Sequence, residues 1–179
     1  MTSAYMEGAL GDVILVNGAP WPVLRFRVAR QEKESSDVPA RLSNLEEFEH
    51  LDESAADRTR RFRFVRSAIG GQTMWTINGE GFDPDLIQAR PELGSTEISE
   101  LITDVHHPVH LHLVHFKVLS RSGQPPLARD AGWKDTVDVP PGQVARVLVH
   151  FDGYRGKYVF RCHNLEHEDM MMMANFEVV

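Results

Sequence analysis

The chain has 179 residues, a formal net charge of −7 at pH 7 and a sequence pI near 5.7. That length supports one substantial domain with its own hydrophobic core and leaves little room for a second domain. The acidic balance argues against nucleic acid as a partner, because phosphate binding needs a basic surface, and no apolar run reaches the ~18 residues that span a bilayer. Residues 1–11 lack the basic segment and apolar core of a signal peptide, so the sequence predicts a soluble protein and leaves its compartment unknown.

The first sixty residues contain two strand signals and then a polar segment. Gly11–Gly18 is apolar and ends in an Asn-Gly turn signal, and Val23–Val28 alternates apolar and basic residues, as a half-exposed strand does. Residues 31–60 are rich in Glu, Asp, Ser and Arg, which is typical of a solvated excursion. Within that excursion, a helical turn is predicted at Leu45–Glu49.

Alternation of apolar and polar residues resumes at residue 60 and continues to the C-terminus. Strands are predicted at Arg60–Val65, Met74–Gly79, Glu97–Ile102, His110–Leu119, Thr136–Val139, Val144–Phe151, Lys157–Arg161 and Asn175–Val179. Many short strands separated by Gly and Pro turns indicate an all-β sandwich or barrel. Beyond the excursion, helix is predicted only near Leu165–Asp169.

These signals predict a single all-β domain at residues 61–179. Residues 1–30 are expected to form N-terminal strands, and residues 31–60 a polar surface excursion. We expect residues 11–30 to pack into the same sandwich as the domain that follows.

Histidine is frequent and clustered. Seven of the nine histidines fall into two groups, namely His106, His107, His110, His112 and His115, and then His163 and His167. The chain has a single cysteine, which excludes an intrachain disulfide. Clustered imidazoles near a lone thiol point to metal binding more strongly than the count of histidines does.

The C-terminal segment carries the most specific signal. Cys162 is followed five residues later by His167 and ten residues later by Met172. A thiolate, an imidazole and a thioether suit copper in a distorted His2Cys site with a weak axial Met. Alone, a buried cysteine or a run of methionines is more often core packing, and Met170, Met171 and Met173 are alternatives to Met172.

The second imidazole must come from the upstream cluster. Residues two apart in a strand share a face, so His110 and His112 point together while His115 points away. His107 precedes a proline, which favours a bend and a different direction. Two sets of candidate ligands result: His107, Cys162, His167 and Met172 for a mononuclear site, and His110, His112 and His163 behind it.

Two motifs resemble those of a known family. His107–His112 (HPVHLH) and Cys162–Met172 (CHNLEHEDMMM) are similar to motifs in the C-terminal cupredoxin domain of bacterial multicopper oxidases, the laccase and spore-coat laccase group. Trp75–Gly79 and Gly132–Val137 extend the resemblance over Phe62–Val179. The resemblance implies a cupredoxin-like Greek-key β-sandwich and copper as the cofactor. Residues 11–22 resemble a strand and turn from an earlier domain of the same enzymes, so the chain looks like a shortened form.

The resemblance also implies roles for the candidate ligands. It makes His107, Cys162, His167 and Met172 the ligands of a type 1 copper. It makes His110, His112 and His163 the ligands that this domain gives to a trinuclear copper cluster, with the partner domain supplying two further His-x-His pairs.

Arg161 departs from the family pattern, which has histidine at this position. A guanidinium is permanently charged and cannot bind copper, so one trinuclear ligand is lost. The cation either pairs with a carboxylate or fills the vacated metal space. The chain has only one His-x-His pair, so a full four-copper oxidase within one chain is not expected.

Two functions follow from this pattern. The first is one-electron transfer through a type 1 copper, supplied by a small-molecule or protein donor that docks near His167, which is expected close to the surface. The alternative is a laccase-like oxidase with a residual second copper at His110, His112 and His163. An interface between copies in a homo-oligomer could complete that second site, because trimeric relatives build copper sites that way. No separate catalytic residue is assigned in either case.

Overall fold

The computed structural model describes residues 2–9, 25–33, 35–40 and 51–179. The predicted strand at Gly11–Gly18 and the predicted helical turn at Leu45–Glu49 lie outside the described residues. The chain divides into two compact units, Met1–Leu45 and Glu46–Val179.

The first unit contains an antiparallel pair of strands. β1 (Thr2–Ala9) pairs with β2 (Arg25–Lys33), with a register irregularity between Tyr5 and Met6. β1 was not predicted, and β2 extends beyond the predicted strand at Val23–Val28. The expectation that residues 11–30 pack into the main sandwich stays a prediction.

The described residues of the second unit form two sheets. The strands are β3 (Arg58–Ile69), β4 (Gln72–Ile77), β5 (Ile87–Ala89), β6 (Thr96–Thr103), β7 (His107–Leu111), β8 (Phe116–Arg121), β9 (Trp133–Lys134), β10 (Thr136–Val139), β11 (Val144–His150), β12 (Gly156–Cys162) and β13 (Met173–Val178). One sheet has the order β10-β7-β12-β13-β5, and the other has the order β4-β3-β6-β11-β8-β9. This arrangement confirms the predicted β-sandwich.

Helical structure is sparse in the described part of the chain. One short helix, α1 (Leu165–Asp169), forms where the sequence predicted it. Single 3-10 turns lie at Glu53–Ala55 and Ala128–Asp130. None of the described helices combines the length and apolarity needed to cross a membrane.

The core lies between the two sheets and follows from the period-two pattern of the strands. In β3, Phe62 and Phe64 are buried while Arg61 and Arg63 face solvent, because alternate residues of a strand point to opposite faces. Phe160 of β12 meets Phe62 across the core, with ring centroids 4.7 Å apart. Each buried phenylalanine contributes about 1.5–3 kcal/mol relative to an exposed one.

The prediction of one continuous strand at His110–Leu119 is wrong. β7 ends at Leu111 and β8 begins at Phe116, and the two strands belong to different sheets. Leu113 lies between them with φ of 74°, a left-handed conformation that cannot continue a strand. The break leaves the histidines of β7 in the same sheet as the cysteine of β12.

The predicted polar excursion ends earlier than residue 60. β3 begins at Arg58 and pairs in parallel with β6. Arg60 forms an ion pair with Glu97 of β6, so an arginine-rich start of a strand is matched by the acidic residues of its neighbour.

Candidate metal centre

Strand pairing brings the two predicted ligand motifs to one end of the sandwich. β7 runs antiparallel to β12, with Val109 opposite Cys162 and His110 opposite Arg161. The start of one antiparallel strand lies beside the end of its neighbour. His107 at the start of β7 therefore lies next to Cys162 at the end of β12, and α1 then returns His167 to the same place.

Three side-chain atoms form a compact triangle. Cys162 Sγ lies 3.4 Å from His107 Nδ1 and 3.5 Å from His167 Nδ1, and the two nitrogens are 3.1 Å apart. The centre of such a triangle is about 1.9 Å from each corner, close to the ~2.0–2.3 Å bond lengths of nitrogen and sulfur ligands to a first-row metal. Among the described residues, no other group of three His, Cys, Asp or Glu side chains comes close enough for one ion. The donor set therefore fits one ion at this place.

Met172 is fixed beside this triangle by the backbone. Its N–H is bonded to the carbonyl of His167 at 2.9 Å, and its carbonyl accepts from the N–H of Cys162 at 3.1 Å. Its side chain is fully buried, whereas Met170 and Met171 are each 48% exposed. The structure thus distinguishes Met172 from the two exposed alternatives.

Burial sets the protonation of the three ligands. It lowers the pKa of His107 and His167 below the usual imidazole value, so both rings are neutral near pH 7 and have a free lone pair. It raises the pKa of the Cys162 thiol to about 11, although the backbone N–H of Asn164 donates to the sulfur at 3.3 Å. A metal that binds here displaces the thiol proton.

Asp104 orients the first imidazole. Its Oδ1 lies 3.1 Å from His107 Nε2, which places the ring proton on Nε2 and leaves Nδ1 as a ligand atom. Burial opposes ionisation of this carboxyl, yet hydrogen bonds from Arg66, His107 and Val105 hold its pKa below the usual range. Sequence reasoning missed Asp104, whose only signal is its position three residues before His107.

The environment of His167 was also missed. The indole of Trp75 lies over its imidazole with ring centroids 3.7 Å apart, and the side-chain amide of Asn164 lies 3.4 Å from Nε2. His167, expected close to the surface, therefore keeps only 8% of its surface exposed. Trp75 belongs to a stretch that carried the family resemblance, but nothing in the sequence links it to a ligand.

The rings of the second predicted set also lie near one another, on the other side of β12, but their nitrogen atoms are not close enough together to hold one ion without rearrangement. The ring of His110 lies 4.7 Å from that of His112 and 4.9 Å from that of His163, centroid to centroid. His110 Nδ1 is bonded to the carbonyl of Asp135 at 2.9 Å, which leaves Nε2 free to bind. Burial first, and then the nearby charges of His110 and Arg161, lower the pKa of His112 and His163.

Arg161 pairs with a carboxylate, which settles one of the alternatives left open by the sequence. Its guanidinium forms an ion pair with Glu168 of α1, and the second oxygen of Glu168 lies 3.7 Å from His163 Nδ1. The second predicted set of imidazoles therefore has a cation and its carboxylate partner beside it.

Comparisons with known proteins point to one family. Residues 53–179 match the family described as multicopper oxidase. A laccase from Haloferax volcanii is 39% identical over 97% of the chain, and a laccase from Bacillus subtilis is 32% identical over 98% of it. These alignments cover 32% and 37% of the two relatives, so the chain spans about a third of their length.

The fold comparison gives the same result. The crystal structure of a multicopper oxidase from Pediococcus acidilactici superposes with a TM-score of 0.64 and 30% identity, covering 83% of this chain and 31% of that one. The sandwich is therefore cupredoxin-like, as the resemblance implied.

Proposed function

The chain belongs to the multicopper oxidase family, whose cofactor is copper, and we propose that its sandwich holds a type 1 copper that transfers single electrons. His107 Nδ1, Cys162 Sγ and His167 Nδ1 would hold the copper, and the buried Met172 would supply a weaker thioether ligand. When bound, copper supplies a one-electron Cu(II)/Cu(I) couple in this kind of ligand set.

The triangle of ligand atoms carries the proposal. Its edges of 3.1–3.5 Å are set by residues on the packed strands β7 and β12 and on the short helix α1, and both imidazoles are neutral for the reasons given above. Side chains already held at bonding distance around one point move little when the charge at that point changes. Such a site favours fast electron exchange with a small-molecule or protein donor.

Copper content and spectra test this function directly. We expect the copper-loaded protein to hold one tightly bound copper per chain, with intense visible absorption from the thiolate–copper bond and a single EPR signal. A chain that takes up no copper at micromolar free metal, although its circular dichroism shows a folded β-sandwich, contradicts the proposal and leaves a metal-free domain.

A laccase-like oxidase is the second candidate, supported by the grouped rings of His110, His112 and His163. This function needs a second copper, with further imidazoles from a second copy of the chain or from another domain. A second EPR-visible copper that disappears in His110→Ala supports it. His150→Ala is the matched control, because that histidine contacts Thr96 instead of the ring cluster.

Removing the carboxylate behind His107 is expected to weaken copper binding. Asp104→Ala leaves Nε2 of His107 without its acceptor, so we expect a roughly 10–100-fold lower copper affinity, with Asp104→Asn in between because its amide oxygen still accepts. Competition with a chelator measures the affinity. Asp138→Asn is the control, since Asp138 pairs with the exposed His106; an equal loss in both variants would contradict the role of Asp104.

A further inference from the structure

Trp75 contacts both imidazoles of the candidate metal centre. Its ring lies over that of His167, tilted by 31°, with 3.7 Å between centroids. It meets the ring of His107 edge-on, 5.7 Å away and at 83°. The indole is itself half-buried against the core, and the His167 ring that it contacts is buried.

Strand pairing holds Trp75 in place through Arg66. The two residues are directly opposite each other in β3 and β4, and the guanidinium carbon of Arg66 lies 5.5 Å from the centroid of the indole. A guanidinium over an aromatic face contributes about 0.5–1 kcal/mol at an exposed site. The Arg66 side chain of β3 thus packs against the Trp75 indole of β4 and stabilises its position.

The same arginine reaches the other imidazole ligand. Its backbone N–H and its Nε donate to Asp104 Oδ2 at 3.0 and 3.3 Å, and the second oxygen of Asp104 accepts from His107. A continuous set of contacts therefore runs from His107 through Asp104, Arg66 and Trp75 to His167.

We propose that Trp75 is a positioning residue of the metal centre, which covers His167 and, through Arg66 and Asp104, couples its orientation to that of His107. This inference rests on the proposed copper site and adds a residue that binds no metal. Without the indole, the ring of His167 is free to rotate and is wetted on one face. A wetter, less apolar shell favours Cu(II) over Cu(I) and so lowers the reduction potential.

The test compares Trp75→Ala, Trp75→Phe and a control, Trp133→Phe. The control changes an indole on β9, the edge strand opposite β4 in the same sheet. For Trp75→Ala we expect a roughly 10–100-fold loss of copper affinity, a lower reduction potential and an altered visible spectrum. Trp75→Phe keeps an aromatic face and should restore most of each value. Trp133→Phe should match the wild type in all three measurements.

Thermal unfolding and one further variant separate a loss of folding from a loss of metal uptake. Thermal unfolding of the metal-free variants shows whether Trp75→Ala is folded; if it is not, Trp75→Leu, which keeps apolar volume without an aromatic face, replaces it with the same expected losses. Trp75→Ala, or Trp75→Leu in its place, with wild-type affinity, potential and spectrum overturns the inference. A wild-type protein that binds no copper overturns the proposed function instead.

Discussion

Replacing Cys162 by serine is expected to abolish the intense visible absorption of the copper-loaded protein and to weaken copper binding by more than the roughly 100-fold typical of an outer-shell change. The thiolate is the soft ligand that selects copper in this donor set. A serine hydroxyl is a hard, neutral ligand, and with the two imidazoles it leaves an ordinary nitrogen–oxygen site. Titration with copper, followed by visible absorption and chelator competition, measures both effects.

Serine suits this experiment because it nearly preserves the shape of the side chain. Cys162 is fully buried, and its sulfur accepts the N–H of Asn164, a hydrogen bond that a hydroxyl oxygen also accepts. The metal-free variant should therefore remain folded by circular dichroism. Met170→Ser removes an exposed sulfur from the same segment and should keep the absorption. Wild-type absorption in Cys162→Ser would show that the thiol is not a ligand.

Alternation in the sequence was enough to find most of the strands of the second unit. Buried Phe62 and Phe64 in β3 and buried Ala145, Val147 and Val149 in β11 follow the period of two directly. Alternation did not reveal the break at Leu113, because a leucine with positive φ is imposed by the connection between sheets and leaves no signal in composition.

The candidate ligands were predictable because their chemistry is rare. A lone cysteine, with histidine and methionine at short spacings, indicates few things other than a soft metal site. The residues around them were not predictable. Trp75 meets the ligands only through the register of β3 with β4 and β6, and pairing between strands distant in sequence cannot be read from either strand alone. Asp104 is a sequence neighbour of His107, but an acidic residue three positions from a histidine is too common to single it out.

Arg161 shows the same limit in a different form. The sequence identified it as a departure from the family pattern but left its partner open. The pairing with Glu168 depends on α1 folding back against β12, which brings together residues seven positions apart across a turn. The charge was evident from the sequence, whereas its neutralisation required the fold.

Copper affinity is expected to rise about tenfold for each pH unit between pH 7 and pH 9. The thiol of metal-free Cys162 has its pKa raised to about 11 by burial, so it is protonated throughout this interval, while a copper-bound sulfur is a thiolate. Each copper that binds therefore releases one proton from Cys162. His107 and His167 add nothing above pH 7, because burial lowers their pKa values and both rings are already neutral.

Chelator competition at several pH values, corrected for protonation of the chelator, measures how copper affinity changes with pH. Proton release in a weakly buffered solution shows whether one proton leaves for each copper that binds. Cys162→Ser is the control and should bind copper with little dependence on pH over the same interval. The raised pKa also gives the pH dependence of the folding stability of the metal-free wild type. Burial favours the neutral thiol, so the contribution of Cys162 to stability is complete below pH 9 and declines as the pH rises towards 11. A wild-type affinity that is flat from pH 7 to pH 9 would mean that no thiol proton is displaced, and the assignment of Cys162 as a copper ligand would then be wrong.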